Sequence, residues 1–273
     1  MSTSLSPEMF DHYGEIDEAG RLSRGVGELE RIRTQDLIGR RLPQSPSIVL
    51  DVGGAAGVHA LWLARQGHEV HLIDPVPHHV EQARQASAAQ VTHPLASCTV
   101  GDARNLDYAD ACADAVLLLG PLYHLTERAD RLKALSEAYR VLRPGGLMFV
   151  AAISRFASFL SGMTHGLLSD PVFVEIIRQD LKDGQHRNPT NNPQYFTTTF
   201  FHHPDELRTE VEETGFSIEK LAAIEGPVMW MKNFDADWED VRRRALLLEF
   251  LDATEEEPAF IGTSSHFLAI GCK

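Results

Sequence analysis

The segment from Ile48 to Gly57 constrains the fold of this chain more than any other. It consists of an apolar run that contains an acid, followed by a series of small residues. The apolar run predicts a buried strand, and residues 58–65 behind it predict a helix. A strand that enters a helix through such a turn brings backbone N–H groups close to a nucleotide-like ligand, and Gly53, Gly54 and Gly57 leave room for that approach. The sequence therefore predicts an α/β fold with a ligand site at this turn.

The acid at the end of the next predicted strand supports this interpretation. Residues 69–74 predict a second strand that ends in Asp74, about twenty residues after the turn, where a carboxylate that binds ribose hydroxyls is expected. A nicotinamide-binding turn has the order G-x-G-x-x-G, whereas here Asp51 precedes the glycines. That order resembles the first motif of the class I S-adenosylmethionine (SAM)-dependent methyltransferases, an acid followed by G-x-G-x-G, with Ala55 in place of the middle glycine.

The resemblance continues through residues 100–103, 114–125 and 140–150, in the order and spacing of that family. It implies that SAM is the cofactor and S-adenosylhomocysteine the product. It also implies that the glycines shape the cofactor turn, that Asp74 binds the ribose, and that Asp51 orders the turn or reaches the amino-acid end of SAM. The remaining cofactor-binding residues implied by the resemblance are Asp102 at the adenine amino group, Ala103 at the adenine ring through its backbone N–H, and Leu119.

The resemblance further implies a Rossmann-like, doubly wound, seven-stranded sheet whose last strand is antiparallel. The pattern predicts strands near 48–52, 69–74, 96–101, 114–120, 147–153, 216–224 and 264–271. The clearest helix is predicted near 127–142, with Thr126 as its N-cap and a stop at Arg143-Pro144-Gly145-Gly146.

The division of the chain follows from this pattern. We expect an N-terminal helical lid at 1–45, a SAM-binding core at 46–153, a helical insertion between strands 5 and 6 at 154–202, and completion of the same domain at 203–273. The insertion is predicted to cover the substrate. The candidate substrate-contacting residues are Tyr13 in the lid and His165 and Tyr195 in the insertion.

The loop after the fourth strand contains the candidate catalytic residues. Gly120-Pro121-Leu122-Tyr123-His124 lies where ligands bind in open α/β sheets. Methyl transfer from a sulfonium mainly requires alignment, and a base is needed only when the acceptor must lose a proton. His124 is the candidate base because imidazole titrates near neutral pH, and Tyr123 is placed to stack on a planar substrate. The alternatives are that Tyr123 packs under the lid and that His124 is a loop histidine hydrogen-bonded to the backbone.

Composition restricts the partners. A formal net charge of −14 argues against a nucleic-acid substrate, because such binding depends on Lys and Arg. The pairs His78-His79 and His202-His203 do not place two ligands on one side, so no metal site is predicted. Three scattered cysteines and a polar first segment are typical of a cytoplasmic protein without a membrane span. The expected state is a monomer or a homodimer.

The sequence thus predicts a methyltransferase that acts on O, N or C of a small, apolar or aromatic metabolite. Three alternatives remain open. A non-catalytic SAM-binding regulator would keep the cofactor residues and block the substrate pocket. A protein methyltransferase would present an exposed acidic groove beside Tyr123 instead of a closed pocket. A nicotinamide-dependent oxidoreductase is less compatible with the order of the first motif.

Overall fold

The structure, a computed structural model, describes residues 18–43, 46–190 and 192–273. Its centre is a seven-stranded sheet with the order β3-β2-β1-β4-β5-β9-β8, accompanied by a two-stranded sheet of β6 and β7. The strands are β1 Ile48–Val52, β2 Glu69–Asp74, β3 Ser97–Val100, β4 Ala113–Leu118, β5 Leu142–Ile153, β6 Gln185–His186, β7 Thr199–Phe200, β8 Ser217–Ala223 and β9 His266–Cys272.

Helices cover both faces of this sheet and form most of the insertion. In chain order they are α1 Glu18–Arg21, α2 Gly25–Gly39, α3 Val58–Arg65, α4 Pro77–Ala89, α5 Pro121–His124, α6 Arg128–Val141, α7 Ala157–Thr164, α8 Pro171–Asp183, α9 Pro204–Glu213, α10 Phe234–Glu239, α11 Val241–Thr254 and α12 Pro258–Ile261. Within the described residues, no helix combines the length and the apolar character needed to cross a bilayer.

The strand directions confirm the predicted sheet. β1 to β5 pair in parallel, whereas β9 pairs antiparallel with both β5 and β8. This order differs from the 3-2-1-4-5-6 arrangement of nicotinamide-binding domains. The strand order therefore argues against the oxidoreductase alternative. Because β9 runs against its neighbours, its first residue lies at the edge where the parallel strands end.

Two apolar layers hold the helices to the sheet. Successive residues of a strand point to opposite faces, and in β5 Phe149 joins one cluster while Val150 joins the other. Leu63 of α3 packs on the first face, and Leu135 of α6 packs on the second. All four side chains are fully buried, so the parallel strands are covered on both faces, as their continuous apolar sequence predicts.

The structure corrects three details of the sequence prediction. α6 begins after Glu127 without a side-chain cap, so Thr126 is not its N-cap. β5 begins at Leu142 instead of residue 147, because Leu142 already pairs with Ala113 before the turn. The pattern of residues 237–251 predicts one helix, whereas the structure has two, α10 and α11, since Asp240 accepts hydrogen bonds from the backbone N–H groups that open α11.

The described part of the predicted lid is anchored to the C-terminal half of the chain. Arg33 of α2 is buried, and its Nη2 lies 2.6 Å from Oε2 of Glu255. Arg40 and Lys220 contact the same carboxylate at 2.7 Å. Burial opposes ionisation of Glu255, but these three cations lower its pKa to about 2. The ion pairs hold α2 in place above the sheet edge.

The insertion forms its own small core. Ser158 and His186 both contact the buried carboxylate of Asp180, with His186 Nδ1 2.8 Å from Oδ2. Phe173 of α8 packs against Tyr195, with ring centroids 5.1 Å apart. The sequence interpretation missed β6 and β7, which pair across the base of the insertion.

Candidate functional site

A cavity of about 1290 Å³, measured with its open mouth, runs along the edge where β1, β2 and β4 end. We call its two ends the turn end, formed by residues 51–56, Asp74 and residues 102–103, and the far end, formed by Glu30, Ile224 and His266. Arg21, Leu22 and Thr34 from the N-terminal segment and the loop that contains Tyr123 and His124 also line it.

The turn after β1 has no space for side chains at two glycines. A Cβ atom at Gly53 would lie 2.7 Å from Pro121 Cγ, and one at Gly54 would lie 2.7 Å from Asp51 Oδ2. Gly53 also has a φ of +75°, in the left-handed region that favours glycine. Gly57 has a φ of +87° and stands immediately before α3. The backbone therefore forms the cavity wall here.

Ala55 occupies the position of the missing glycine in the left-handed region, with a φ of +47°. This conformation costs an alanine about 1–2 kcal/mol. The N–H of Ala55 donates to Oδ2 of Asp74 at 2.9 Å, a charge-assisted hydrogen bond that offsets part of this cost. The turn thus keeps its path despite the methyl group.

Asp74 links the turn to the end of β2. Its Oδ1 accepts a hydrogen bond from the N–H of Val76 at 2.9 Å, and His79 Nδ1 lies 3.3 Å from the same atom. The carboxylate is buried by the protein yet lines the cavity. Each carboxylate oxygen has two lone pairs, so Asp74 retains capacity for further donors such as hydroxyl groups.

Asp51 is a buried acid with an unsatisfied oxygen. Its Oδ2 has no hydrogen-bond partner among the described residues, and the residue is 1% exposed. Burial and the nearby charge of Asp74 raise the pKa of Asp51 to about 7. A cationic group bound beside it would supply the missing partner and favour its ionised form.

The predicted adenine-side residues also line the cavity. Asp102 and Ala103 lie in the loop after β3, and Leu119 follows β4. The carboxylate of Asp102 is paired with Arg104, whose Nη2 donates to Oδ2 at 2.9 Å. A ligand donor at Asp102 would therefore share the carboxylate with this guanidinium.

Tyr123 and His124 lie together in the short helix α5 and line the same cavity. Their rings meet edge to face, with centroids 4.5 Å apart. A side chain at Gly120 would approach the Tyr123 hydroxyl to 3.6 Å. The loop thus brings both predicted catalytic side chains to the middle of the cavity, between its two ends.

The far end contains residues that the sequence interpretation missed. His266 is the first residue of β9, Glu225 follows β8, and Glu30 lies on α2. His266 Nδ1 is 2.5 Å from Oε1 of Glu225 and 3.9 Å from Oε2 of Glu30. The predicted antiparallel last strand could have indicated His266, because an antiparallel strand begins at the edge of the sheet where the parallel strands end.

The structure does not bring the predicted substrate-contacting residues to the cavity. Of the described insertion residues, none lines it. The Tyr195 hydroxyl donates to Asp170 at the N-terminus of α8, and His165 is an exposed residue that bonds to Ser161. Tyr13 lies outside the described residues.

The adjacent histidine pairs have separate roles. His79 contacts Asp74, whereas His78 is exposed on α4. His202 is buried beside Glu210, with Nε2 3.3 Å from Oε2, and His203 caps α9. Burial is the main cause that lowers the pKa of His202.

Comparisons with known proteins agree with the fold and the turn. A family model for a methyltransferase domain matches residues 50–150. The chain is 31% identical over 194 residues to a demethylmenaquinone methyltransferase of Deinococcus radiodurans, covering 70% of this chain and 76% of that protein. It is 30% identical to a ubiquinone biosynthesis O-methyltransferase of Xylella fastidiosa, with 69% and 68% covered. A match to the methyltransferase GfsG of Streptomyces halstedii, 32% identical, covers 52% of this chain and 50% of that protein.

Solved structures show the same fold at low sequence identity. A SAM-dependent methyltransferase of Methanosarcina mazei superposes with a TM-score of 0.59 at 18% identity, covering 87% of this chain and 96% of that one. A SAM-dependent methyltransferase of Thermotoga maritima, described as a possible histamine N-methyltransferase, gives 0.58 at 16% identity, with 96% and 97% covered.

Proposed function

The chain belongs to the class I SAM-dependent methyltransferases, and from this premise we propose that it methylates a small, largely apolar or aromatic molecule in the cavity described above. The acceptor atom is proposed to be an oxygen, or a carbon or nitrogen of the same kind of molecule. SAM supplies an activated methyl group on a sulfonium, and the protein's own residues bind and align the two reactants.

The turn end fits this cofactor. The glycine turn offers backbone that a side chain would obstruct, as the close approach of Pro121 to Gly53 indicates. Asp74 is proposed to bind the ribose hydroxyls, and the backbone of Ala103 the adenine ring. The unsatisfied Oδ2 of Asp51 suits the ammonium group at the amino-acid end of SAM. Asp102 is proposed to accept from the adenine amino group, in competition with Arg104.

The single observation that carries the proposal is the extent of the cavity. One continuous cavity is lined both by the turn end, with Gly53 and Asp74, and by the far end, with Glu30 and His266. It continues past Tyr123 to the apolar side chains of Ala151 and Ile224. Leu22 and Thr34 of the N-terminal segment also border it, which supports a proposed lid and a small acceptor instead of an exposed polypeptide.

His124 and Tyr123 remain the proposed catalytic pair. Both border the cavity between its two ends, where the reactants would meet. An acceptor hydroxyl would lose its proton to His124, and the ring of Tyr123 would hold a planar acceptor. The names of two relatives, a demethylmenaquinone methyltransferase and a ubiquinone biosynthesis O-methyltransferase, favour an aromatic or quinone-like acceptor.

Calorimetric titration with S-adenosylhomocysteine tests the cofactor half of the proposal. We expect Asp74→Ala to weaken binding at least tenfold, because it removes charge-assisted hydrogen bonds worth about 1.5–3 kcal/mol. Asp107→Asn is the matched control, since Asp107 is exposed and does not line the cavity. Absence of binding to the unmodified protein would contradict the proposed function.

Transfer of labelled methyl groups to a panel of phenols, naphthols and quinols tests the acceptor half. We expect His124→Ala to lower kcat while S-adenosylhomocysteine affinity changes less than threefold. Unchanged kcat in this variant would remove His124 as the base. Transfer only to protein substrates would contradict the small-molecule proposal.

A further inference from the structure

Behind the far end of the cavity, a buried acid orients a histidine. Glu225 is 1% exposed, and its Oε2 accepts hydrogen bonds from Ser264 Oγ at 2.8 Å and from the backbone N–H of His266 at 2.9 Å. Its Oε1 faces His266 Nδ1 at 2.5 Å. Three contacts from one short segment therefore fix the carboxylate and, through it, the imidazole.

The imidazole keeps one nitrogen available. Its Nδ1 faces Glu225 and Glu30, whereas Nε2 forms no hydrogen bond with any residue in 18–43, 46–190 or 192–273. The His266 side chain is 22% exposed and lines the cavity. Imidazolium has a donor on each ring nitrogen, so Nε2 is free to donate to a ligand oxygen.

The surrounding charges favour the imidazolium form. Burial alone would lower the pKa of His266, but the charges of Glu225 and Glu30 and the hydrogen bond with Glu225 raise it to about 9, against a smaller opposing effect of Arg21. Glu30 is itself paired with Arg21, with Nη1–Oε2 and Nη2–Oε1 distances of 2.5 and 3.0 Å. Glu225, which follows β8, thus pairs with His266, and Glu30 of α2 pairs with Arg21 of α1. The Nε2–H of His266 remains a cationic donor at neutral pH.

The position of His266 separates it from the turn end. β9 is the third strand from β1 along the sheet, in the order β1, β4, β5, β9. With strands about 4.8 Å apart, roughly 14 Å lies between the turn after β1 and the start of β9. The loop with Tyr123 and His124, after β4, stands between them. His266 is therefore on the acceptor side of the cavity.

We propose that His266 binds an anionic oxygen of the methyl acceptor through Nε2–H, and that Glu225 is the positioning residue that holds the imidazole. This inference rests on the proposed function and deepens it, because it assigns the acceptor an acidic hydroxyl or a carboxylate. A neutral hydrocarbon surface or an amine would gain nothing from a cationic donor at this place.

A divalent cation is the competing occupant. Glu30, Glu225 and His266 have potential ligand atoms within 4.8 Å of one another. A metal ion would have to displace Arg21 from Glu30 and remove the proton from an imidazole that two carboxylates hold protonated. The observed contacts satisfy both carboxylates without a metal.

The test uses 4-nitrophenol as the acidic hydroxyl, because its anion absorbs visible light. The full-length protein is saturated with S-adenosylhomocysteine, and the ionisation of bound 4-nitrophenol is followed by absorbance across pH, in the presence of EDTA. We expect the unmodified protein to increase the ionisation constant of the bound phenol at least tenfold. His266→Gln should abolish this increase. No increase with the unmodified protein overturns the proposal, whether or not the variant folds.

Two controls isolate the oxygen contact. His71→Gln removes a histidine that also lies beside a glutamate, with Nε2 3.3 Å from Glu69, but outside the cavity. It should behave as the unmodified protein. 4-Nitroanisole, which has no ionisable hydroxyl, should bind equally to the unmodified protein and to His266→Gln. Loss of its binding in the variant would attribute the effect to a damaged cavity and overturn the proposal.

Cofactor binding distinguishes the failure of this inference from that of the proposed function. We expect His266→Gln to change the affinities for S-adenosylhomocysteine and 5′-methylthioadenosine by less than threefold. A selective loss of S-adenosylhomocysteine affinity would assign His266 to the cofactor's carboxylate and overturn the inference alone. No binding of S-adenosylhomocysteine to any form would contradict the proposed function itself. Phenol ionisation that occurs only when EDTA is omitted would favour a metal site and overturn the inference.

A separate readout tests the role of Glu225. In NMR titrations, the His266 ring signals, assigned by their loss in His266→Gln, should titrate near pH 9 in the unmodified protein. In Glu225→Gln the midpoint should fall by at least one pH unit, together with the ionisation of bound 4-nitrophenol. A midpoint that does not move would contradict the positioning role.

Discussion

At the turn end of the cavity, backbone N–H groups and glycines meet carboxylates from neighbouring strands, whereas at the far end side chains from distant segments meet one another. At the turn end, Asp74 contacts Ala55 and Val76 through their main chain. At the far end, Glu225 and His266 are 41 residues apart and pair through side chains. The first construction depends on main-chain shape, which suits a constant cofactor. The second depends on side-chain identity, which suits an acceptor that differs between enzymes.

Substitution of Gly53 is the strongest test of the main-chain construction. An alanine here combines the left-handed φ with a contact 2.7 Å from Pro121. We expect Gly53→Ala to lower the free energy of unfolding by about 2–5 kcal/mol and to weaken S-adenosylhomocysteine binding at least a hundredfold. Denaturant unfolding and calorimetry measure the two effects.

Gly145→Ala provides the matched control for this prediction. Gly145 has a similar φ of +79°, but a Cβ atom there would have no neighbour within 4 Å. In this variant the free energy of unfolding should fall by only about 1–2 kcal/mol, the cost of the left-handed backbone, and the affinity for S-adenosylhomocysteine should be unchanged. Equal losses in the two variants would show that contact with Pro121 does not exclude a side chain from the turn.

The ion pair between His266 and Glu225 at the far end should make the free energy of unfolding depend on pH. The folded-state pKa of His266, about 9, lies above the ordinary value of 6.5. Stability from this ion pair is therefore fully present below about pH 6.5 and lost as the pH rises through about 9. The loss should be on the order of 3 kcal/mol, since one pKa unit corresponds to about 1.4 kcal/mol.

Because other groups titrate in the same range, the measurement is a difference between two proteins. Urea unfolding of the unmodified protein and of His266→Gln is compared at pH 6 and pH 10. We expect the difference in unfolding free energy between the two proteins to be smaller at pH 10 than at pH 6, by most of the expected loss for the ion pair. A difference that stays constant would contradict the coupling between His266 and Glu225.

The contrast between the two ends also explains what the sequence could predict. Residues 48–57 are contiguous, so the strand, the turn and its acid appear together in one motif. Glu30, Glu225 and His266 meet only after the sheet has formed, and none stands in a local pattern. Their one available signal was the antiparallel last strand, whose first residue must lie at the ligand-binding edge.

The insertion shows why local patterns fail elsewhere. Tyr195 stands in a polar, Asn-rich segment and was predicted to contact substrate, but the apolar contact with Phe173 and the hydrogen bond to Asp170 hold it inside the insertion. β6 and β7 have two residues each, too few for a periodic pattern. The seven main strands were predictable because each has at least four residues, enough for an apolar or alternating pattern bounded by turn residues.

Asp51 offers a test of the turn end by pH. Its pKa of about 7 means that the acid is partly protonated at neutral pH. If the ammonium group of the cofactor binds beside Oδ2, binding releases this proton. Affinity for S-adenosylhomocysteine should therefore rise roughly tenfold from pH 6 to pH 8. Calorimetry in buffers of different ionisation enthalpy measures the released proton.

Asp51→Asn is the variant that isolates this effect, because it keeps the shape of the side chain and removes its titration. The pH dependence of binding should become flat between pH 6 and pH 8. A dependence that persists in Asp51→Asn would assign the proton to another group at the cavity, such as His79 or His124.

Ala55→Gly should have the smallest effect of these substitutions, because the turn already has the backbone conformation that glycine favours. Glycine relieves the left-handed alanine but gives the unfolded chain more freedom, so the net gain in unfolding free energy is about 0.5 kcal/mol. Ala111→Gly, at a similar φ of +51° outside the cavity, should give the same gain. Thermal unfolding measures both. Because Asp74 already holds the N–H of Ala55, affinity for S-adenosylhomocysteine should change less than threefold. A larger improvement would mean that the Ala55 methyl group displaces the backbone from the cofactor, and that the turn tolerates the alanine only at the expense of binding.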